Sequence, residues 1–372
     1  MSLTKEQAIH CAKVYSDYFD RFERIDDYIR DQKLNSLADR PFVLPGMGPE
    51  EDLFSDFSIH PRDMDLEIVE LPQDKWDIYL NMISSHSNMT SIPGRCLRLA
   101  VLEKNTQKWV GFIRLGSPVI NMKPRNQMLE TVFSQTAEGA SAFNKTTMMG
   151  FVIVPSQPFG FNYLGGKLLA AICCSHWVRE RLNAKYKMNT CMFETTSLYG
   201  SSKASSQYDG MKPLIRFKGL TDSAFLPMMH GPIYEDLKRY VEDAIGGPLV
   251  PADATSRKLK ISNKIMSLTK VALKGTSEYE GFENTIKNAL NLTEKKRYYV
   301  SNYGIKNFID IVTGKTDKII KDKENYEKHN LENIIEWWKK KASNRYDNLK
   351  KDNRLRNDIE VWTGEKEIDI IR

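Results

Sequence analysis

The stretch FETTSLYGSSKASSQYDG, residues 193–210, packs seven Ser and Thr hydroxyls, two tyrosines and the acids Glu194 and Asp209 into eighteen residues. Hydroxyls both donate and accept hydrogen bonds, so such a set can read a flat polar group. Glu194 or Asp209 can take a proton from an amine. Tyr199 or Tyr208 can act as an acid or stack on a base. The stretch therefore supplies a candidate catalytic set of Glu194, Thr196, Ser202, Tyr208 and Asp209, with Tyr199, Ser201 and Ser205 as substrate contacts. The plainer alternative is an exposed Ser-rich loop, although such loops usually carry fewer aromatics.

A second chemistry-bearing stretch is VIVPSQPFGFNYLGGKLLAAICCSHW, residues 152–177. A strand ends at a proline, and a helix opens at Gly165, Gly166 and Lys167. Glycines at a helix start allow close backbone approach, and the helix dipole favours an anion there. Lys167 adds a positive charge. The spacing is neither that of a P-loop nor GxGxxG, so a glycine turn capping a core helix is the alternative. Arg114, Ser117, Lys123 and Arg125 complete the candidate substrate contacts, if they face the same cleft; otherwise they are surface charges.

Several elements must position these groups. Residues 4–33 read as a helix, opened by Thr4 and Gln7 as a capping box. RPFVLPGMGPEEDLF, with Pro41, Pro45 and Pro49 interleaved with Gly46 and Gly48, breaks that pattern as a linker or ordered loop. LEIVEL alternates like a strand, and residues 73–86 carry a helical face. CLRLAVLEKNTQKWVGFIRLG reads as two strands joined at Lys104 to Gln107, and SPVINMKPRNQ as a loop. MMGFVIV is a strand, residues 168–182 an apolar helix, CMF a short buried strand and LIRFKGL a last strand. Residues 251–372 read as mainly helical, with aromatic and basic patches at KKRYYVSNYG and EWWKKK.

Other reactive side chains carry less. His176 follows Cys173 and Cys174 on an apolar helix and reads as a core or edge histidine. His86 and His230 are isolated. Cys174 and Cys191 have no neighbouring base in sequence. Trp337 and Trp338 either stack on bases or pack the C-terminal region against the body. Five cysteines make no CxxC spacing or disulfide framework. No run approaches the roughly 18 apolar residues of a membrane span, and the N-terminus lacks a secretion-signal layout. A reduced, cytoplasmic protein without a membrane partner is the expectation. The net charge of +6 is uneven, roughly −2 over residues 1–254 and about +8 over 255–372. A basic C-terminal region is either a solvated helical surface or an arm for phosphates.

The strand with V-x-P, the following loop and the glycine-containing helix start, after an antiparallel strand pair, resemble the GNAT acyltransferase fold. That resemblance implies a pyrophosphate of acyl-CoA, or a related donor, held by Val152, Val154, Gly165, Gly166 and Lys167. This chain has FNYLGGK where GNAT proteins usually have Gln or Arg, two residues and Gly-x-Gly. FIRLGSPVI, residues 112–120, is similar to the strand and turn of the phage Mom DNA-modification family. The Phe193-Glu194-Thr195 strand end resembles the DruA proteins of Druantia defence systems. The resemblance covers roughly residues 95–225.

The reading that follows is an α+β chain: a GNAT-like mixed sheet flanked by helices, with an N-terminal helix and a mainly helical basic C-terminal domain. Its expected divisions are 1–60, 61–250 and 251–372. The first functional expectation is a transferase placing an acyl-type group on a base amine, adenine in DNA first, with nucleic acid as partner. The rivals are a catalytically inactive nucleic-acid-binding accessory or defence protein, and an acetyltransferase acting on a small amine or a protein.

Overall fold

The computed structural model describes residues 2–38, 49–84, 94–133, 136–197, 206–224, 228–254, 257–292 and 295–362. Thr4 opens α1 (Lys5–Phe19). Its hydroxyl accepts from Gln7 N at 3.2 Å, and the Gln7 side chain accepts from Thr4 N at 2.9 Å. The single helix expected over residues 4–33 is two. The chain bends after α1, and α2 (Ile25–Ala38) follows. The bend brings Tyr18, Phe22 and Tyr28 edge to face, with centroids 5.5 and 5.6 Å apart, a gain a straight helix could not offer. The Pro/Gly run at 41–48 lies outside the described residues.

The remaining elements are β1 (Leu66–Glu70), α3 (Gln73–Ile83), β2 (Cys96–Glu103), β3 (Lys108–Gly116), α4 (Lys123–Leu129), α5 (Ala137–Thr146), β4 (Thr147–Pro155), α6 (Phe159–Tyr163), α7 (Gly165–Cys173), α8 (His176–Tyr186), β5 (Met192–Ser197), β6 (Arg216–Ala224), α9 (Pro232–Ile245), α10 (Arg257–Leu273), α11 (Glu278–Asn291), β7 (Lys295–Ser301), α12 (Phe308–Val312) and α13 (Leu331–Lys351). Three expectations change. The loop around Lys123 and Arg125 contains α4, which Pro124 opens in its first turn. The apolar helix over 168–182 is broken at Cys174 and Ser175, because the Ser175 hydroxyl accepts from Val178 N at 3.2 Å and caps α8 as a new start. KKRYYVS is not part of the helical region but a strand, β7.

Among the described residues, seven strands form one sheet in the order β1-β2-β3-β4-β5-β7-β6. β4 and β5 run parallel and the other neighbours antiparallel. β7 enters between β5 and β6 after the chain has made the helical excursion α9–α11. The main core lies around α7, α8 and α13 and the sheet, with Trp338, Tyr163, Leu169 and Tyr303 fully buried. A second core joins α1 to α9, α10 and α11 and takes in Trp362. A smaller patch, with Trp76, Phe112 and Val152, lies under α3. No described helix is long and apolar enough to cross a membrane.

Candidate functional site

The parallel pairing of β4 with β5 is short. It runs from Thr147↔Met192 to Gly150↔Thr195 and then stops. Beyond it, β4 continues against β3 as far as Pro155, and β5 continues against β7 as far as Ser197. A register shift between Arg114 and Leu115 marks the same point, opposite Val152 and Gly150. An extra residue in one strand bends it, so β4 and β5 part beyond Gly150 and Thr195.

Side chains along β5 alternate between the two faces of the sheet. Glu194 points to one face and is fully buried. Its carboxylate accepts from Arg125 Nη1 at 2.8 Å and from the Tyr298 hydroxyl at 2.6 Å. Arg125, also fully buried, donates from Nη2 to Ile120 O at 2.7 Å and lies 4.3 Å from the centroid of the Phe143 ring. Burial pushes the Glu194 carboxyl above its ordinary range, against the pull of Arg125 and of the tyrosine hydroxyl. Burial, then the charge of Glu194, drives the Tyr298 hydroxyl well above its own. Three elements, α4, β5 and β7, thus meet in a closed charge trio.

Thr195 points to the opposite face. Its hydroxyl donates to Gly150 O at 3.0 Å, across the last pair before the strands part. Beside it lie Tyr208 and Tyr299, with ring centroids 5.1 Å apart. Burial raises both hydroxyls, each to about 12. Asp209 accepts from the Tyr299 hydroxyl at 2.9 Å, from Arg297 at 3.1 and 3.2 Å and from Ser206 N at 2.9 Å. Lys167 Nζ donates to Asp209 O at 2.5 Å and to Gln207 O at 3.2 Å. Gln207 Nε2 reaches Ile153 O at 3.4 Å, covering one backbone carbonyl where the strands have parted. Burial first, then Lys341, lowers the Lys167 pKa.

The glycine pair is close-packed. A Cβ on Gly165 would lie 2.6 Å from Phe159 Cδ1, and one on Gly166 would collide with Gln207 Oε1. The close approach expected of these glycines is met by the chain's own side chains. Val152 and Val154 point to the α3 side, into the patch with Trp76 and Phe112.

The pleat of β5 divides the expected catalytic set. Glu194 and Thr196 share one face, while Tyr208 and Asp209 lie on the other with Lys167. These four members of the expected set therefore stand on two sides of the sheet. Arg114 is nearly buried, 5.9 Å from the Trp76 ring centroid, and Ser117 Oγ accepts from Arg95 N at 3.1 Å. Lys123 is exposed, whereas Arg125 is sealed against Glu194. Arg114, Ser117, Lys123 and Arg125 therefore do not line one wall. Tyr199, Ser201, Ser202 and Ser205, like His86, lie outside the described residues. The sequence reading missed Gln207, Arg297, Tyr298 and Tyr299. The signal was present in RYYVS, whose alternation sends Arg297 and Tyr299 to one face and Tyr298 to the other, but the preceding lysines made it look like a helical surface patch.

Other predicted side chains are occupied. Trp338 is fully buried and donates to Tyr163 O at 2.8 Å, while Trp337 is half-buried on the flank. The Cys174 and Cys191 thiols are pushed up to about 12 by burial. His230 links the Tyr18 hydroxyl, at 2.8 Å from Nδ1, to Asp31, at 2.9 Å from Nε2, as a brace between α1 and α2. Among the described residues no group of three His, Cys, Asp or Glu side chains is placed to hold a metal ion.

The part of the chain from the segment before β1 through β5, which holds some of these residues, has a counterpart. Residues 53–206 match the family model of Druantia protein DruA. The match spans about two fifths of the chain, so this chain carries a segment similar to DruA. It takes in Arg125, Lys167 and Glu194 and leaves out β6, β7 and α9–α13. No curated protein and no solved structure matches the chain.

Proposed function

We propose that this protein is a phage-defence component that binds nucleic acid on a GNAT-like scaffold. Likeness to the DruA segment supports the defence setting. The antiparallel β2–β3 pair, the strand β4, the helices and the parallel strand β5 support the scaffold. The observation that carries the choice of binding over transfer is the closed trio Arg125–Glu194–Tyr298. The carboxylate best placed in sequence to accept a proton from a base amine has both oxygens engaged and is sealed from solvent. On the other face Asp209 is likewise saturated, and Gln207 covers the helix start where a donor pyrophosphate was expected.

Base modification with an acyl-type donor is the second reading, favoured by the parting of β4 and β5 beyond Gly150 and Thr195. Nucleoside mass spectrometry of DNA from cells expressing the wild-type chain, compared with a Tyr299→Phe, Asp209→Asn variant, separates the two. The binding reading expects identical nucleosides in both samples, together with retention of the wild-type chain on nucleic acid. A new adenine-derived mass in the wild-type sample alone would replace it with the transferase reading.

A further inference from the structure

Cations on α13 fall into two flanks. The core face is formed by Ile334, Trp338, Ala342, Tyr346 and Leu349. Toward α6 and α7, Trp337, Lys341 and Arg345 follow at four-residue intervals, about 6 Å apart along the helix axis. Lys341 Nζ lies 5.5 Å from the Trp337 ring centroid. The Arg345 guanidinium lies 4.7 Å from the Phe161 ring, and that of Arg356, beyond the helix, 4.0 Å from the same ring.

This arrangement is built rather than splayed. The buried Asn162 amide donates to Arg356 O at 2.7 Å and accepts from Arg356 N at 3.1 Å. Arg345 Nε donates to Phe161 O at 3.3 Å. Arg356 shares one end with Glu360 at 3.4 Å, but among the described residues Lys341 and Arg345 form no ion pair with a carboxylate. Burial, with repulsion from Arg354 and Arg356, lowers the Arg345 pKa, and Lys341 in turn presses on Lys167. Lys341 and Arg345, like charges with no carboxylate paired to them among the described residues, repel their cationic neighbours, and a polyanion relieves that repulsion. A single file of cations with half-buried rings between them suits one phosphate chain rather than the two of a duplex.

We infer that the flank of α13 facing α6 and α7 is a track for a single strand of nucleic acid. Arg356, Arg345, Lys341 and Lys167 meet successive phosphates, bases lie against Trp337 and the arginine-faced Phe161, and the track ends at the turn beside Asp209. The inference rests on the nucleic-acid reading above and names its partner and its surface. The other flank, Lys339 and Lys340, lines a separate hollow with Arg62 and Asn344 and serves as the control.

Fluorescence anisotropy of the 372-residue chain tests it, with a labelled thymidine oligomer of about 20 nucleotides and a duplex of equal length across a salt series. Lys341→Glu with Arg345→Glu should weaken single-strand binding at least ~10-fold and flatten the log–log salt slope by about 1.4, two phosphates at roughly 0.7 each. Lys339→Glu with Lys340→Glu should change it less than ~2-fold. Should the track double variant not fold, Lys341→Gln, on an exposed side chain, should still flatten the slope by about 0.7. Equal loss in both pairs overturns the track and leaves the nucleic-acid reading standing. Duplex binding as tight as single-strand binding overturns the single-strand assignment. A wild-type chain that binds neither oligomer overturns the track and the nucleic-acid reading together.

Discussion

Glu194 shows what a buried charge demands of its neighbours. Taking away the carboxylate leaves Arg125 charged in a fully buried site, so Glu194→Leu should cost roughly 3–5 kcal/mol in urea unfolding. Replacing the whole set, with Arg125→Met, Glu194→Leu and Tyr298→Phe together, should recover most of that loss, because nothing charged or unsatisfied remains. A triple variant no more stable than the single one would show that the trio contributes more than mutual satisfaction. His329 makes a pH-dependent case. Its Nδ1 lies 2.7 Å from Cys174 O, its Nε2 has no hydrogen-bond partner among the described residues, and burial pulls its pKa from 6.5 down to about 4. Between those values the unfolded chain binds a proton that the folded chain refuses, so this histidine makes stability fall as pH drops from about 6.5 to about 4. The full contribution is about 3 kcal/mol, and it should vanish from the pH dependence of urea midpoints in His329→Gln.

At the scale of elements, the turn at 206–210 and the start of α7 act as one unit. Gly166→Ala should destabilise the protein by less than about 1 kcal/mol in urea unfolding, because its Cβ meets only the movable amide end of Gln207, and Gln207→Ala in the same chain should remove that penalty. An equal penalty in both backgrounds would place the constraint elsewhere. Alternation and turn residues made β1 through β5 legible: LEIVEL, the hairpin around Lys104 to Gln107 and MMGFVIV all lie where periodicity puts them. β7 was hidden because lysines precede its alternating residues, and α4 because Pro124 reads as a breaker although it also suits a helix start. The site was half legible. Glu194, Lys167 and Asp209 do stand beside the parting strands, but local sequence cannot say which face of β5 each partner reaches. Nor can it say that Arg125, 69 residues before Glu194, will seal it.

Across the whole molecule, the basic C-terminal region is not a detachable arm. It supplies the strand that joins β5 to β6, along with Trp338 and Tyr346 of the main core. A chain ending at residue 254 would leave both strands with open edges. Such a chain should elute as aggregate in size-exclusion chromatography and show no cooperative unfolding. A monomeric, cooperatively folding 1–254 fragment would mean that β5 and β6 close without β7.

The late arrival of β7 also sets a schedule for biosynthesis. About 100 residues separate the end of β5 from the end of β7, so at roughly 5–20 residues per second a ribosome needs some 5–20 s to make them. For most of that interval the nascent chain carries β5 with one edge open, and Glu194 has Arg125 as its partner while its phenolic partner is still to be translated. Yield in a heterologous host should therefore depend on translation speed and chaperone supply more than on the equilibrium stability of the finished protein.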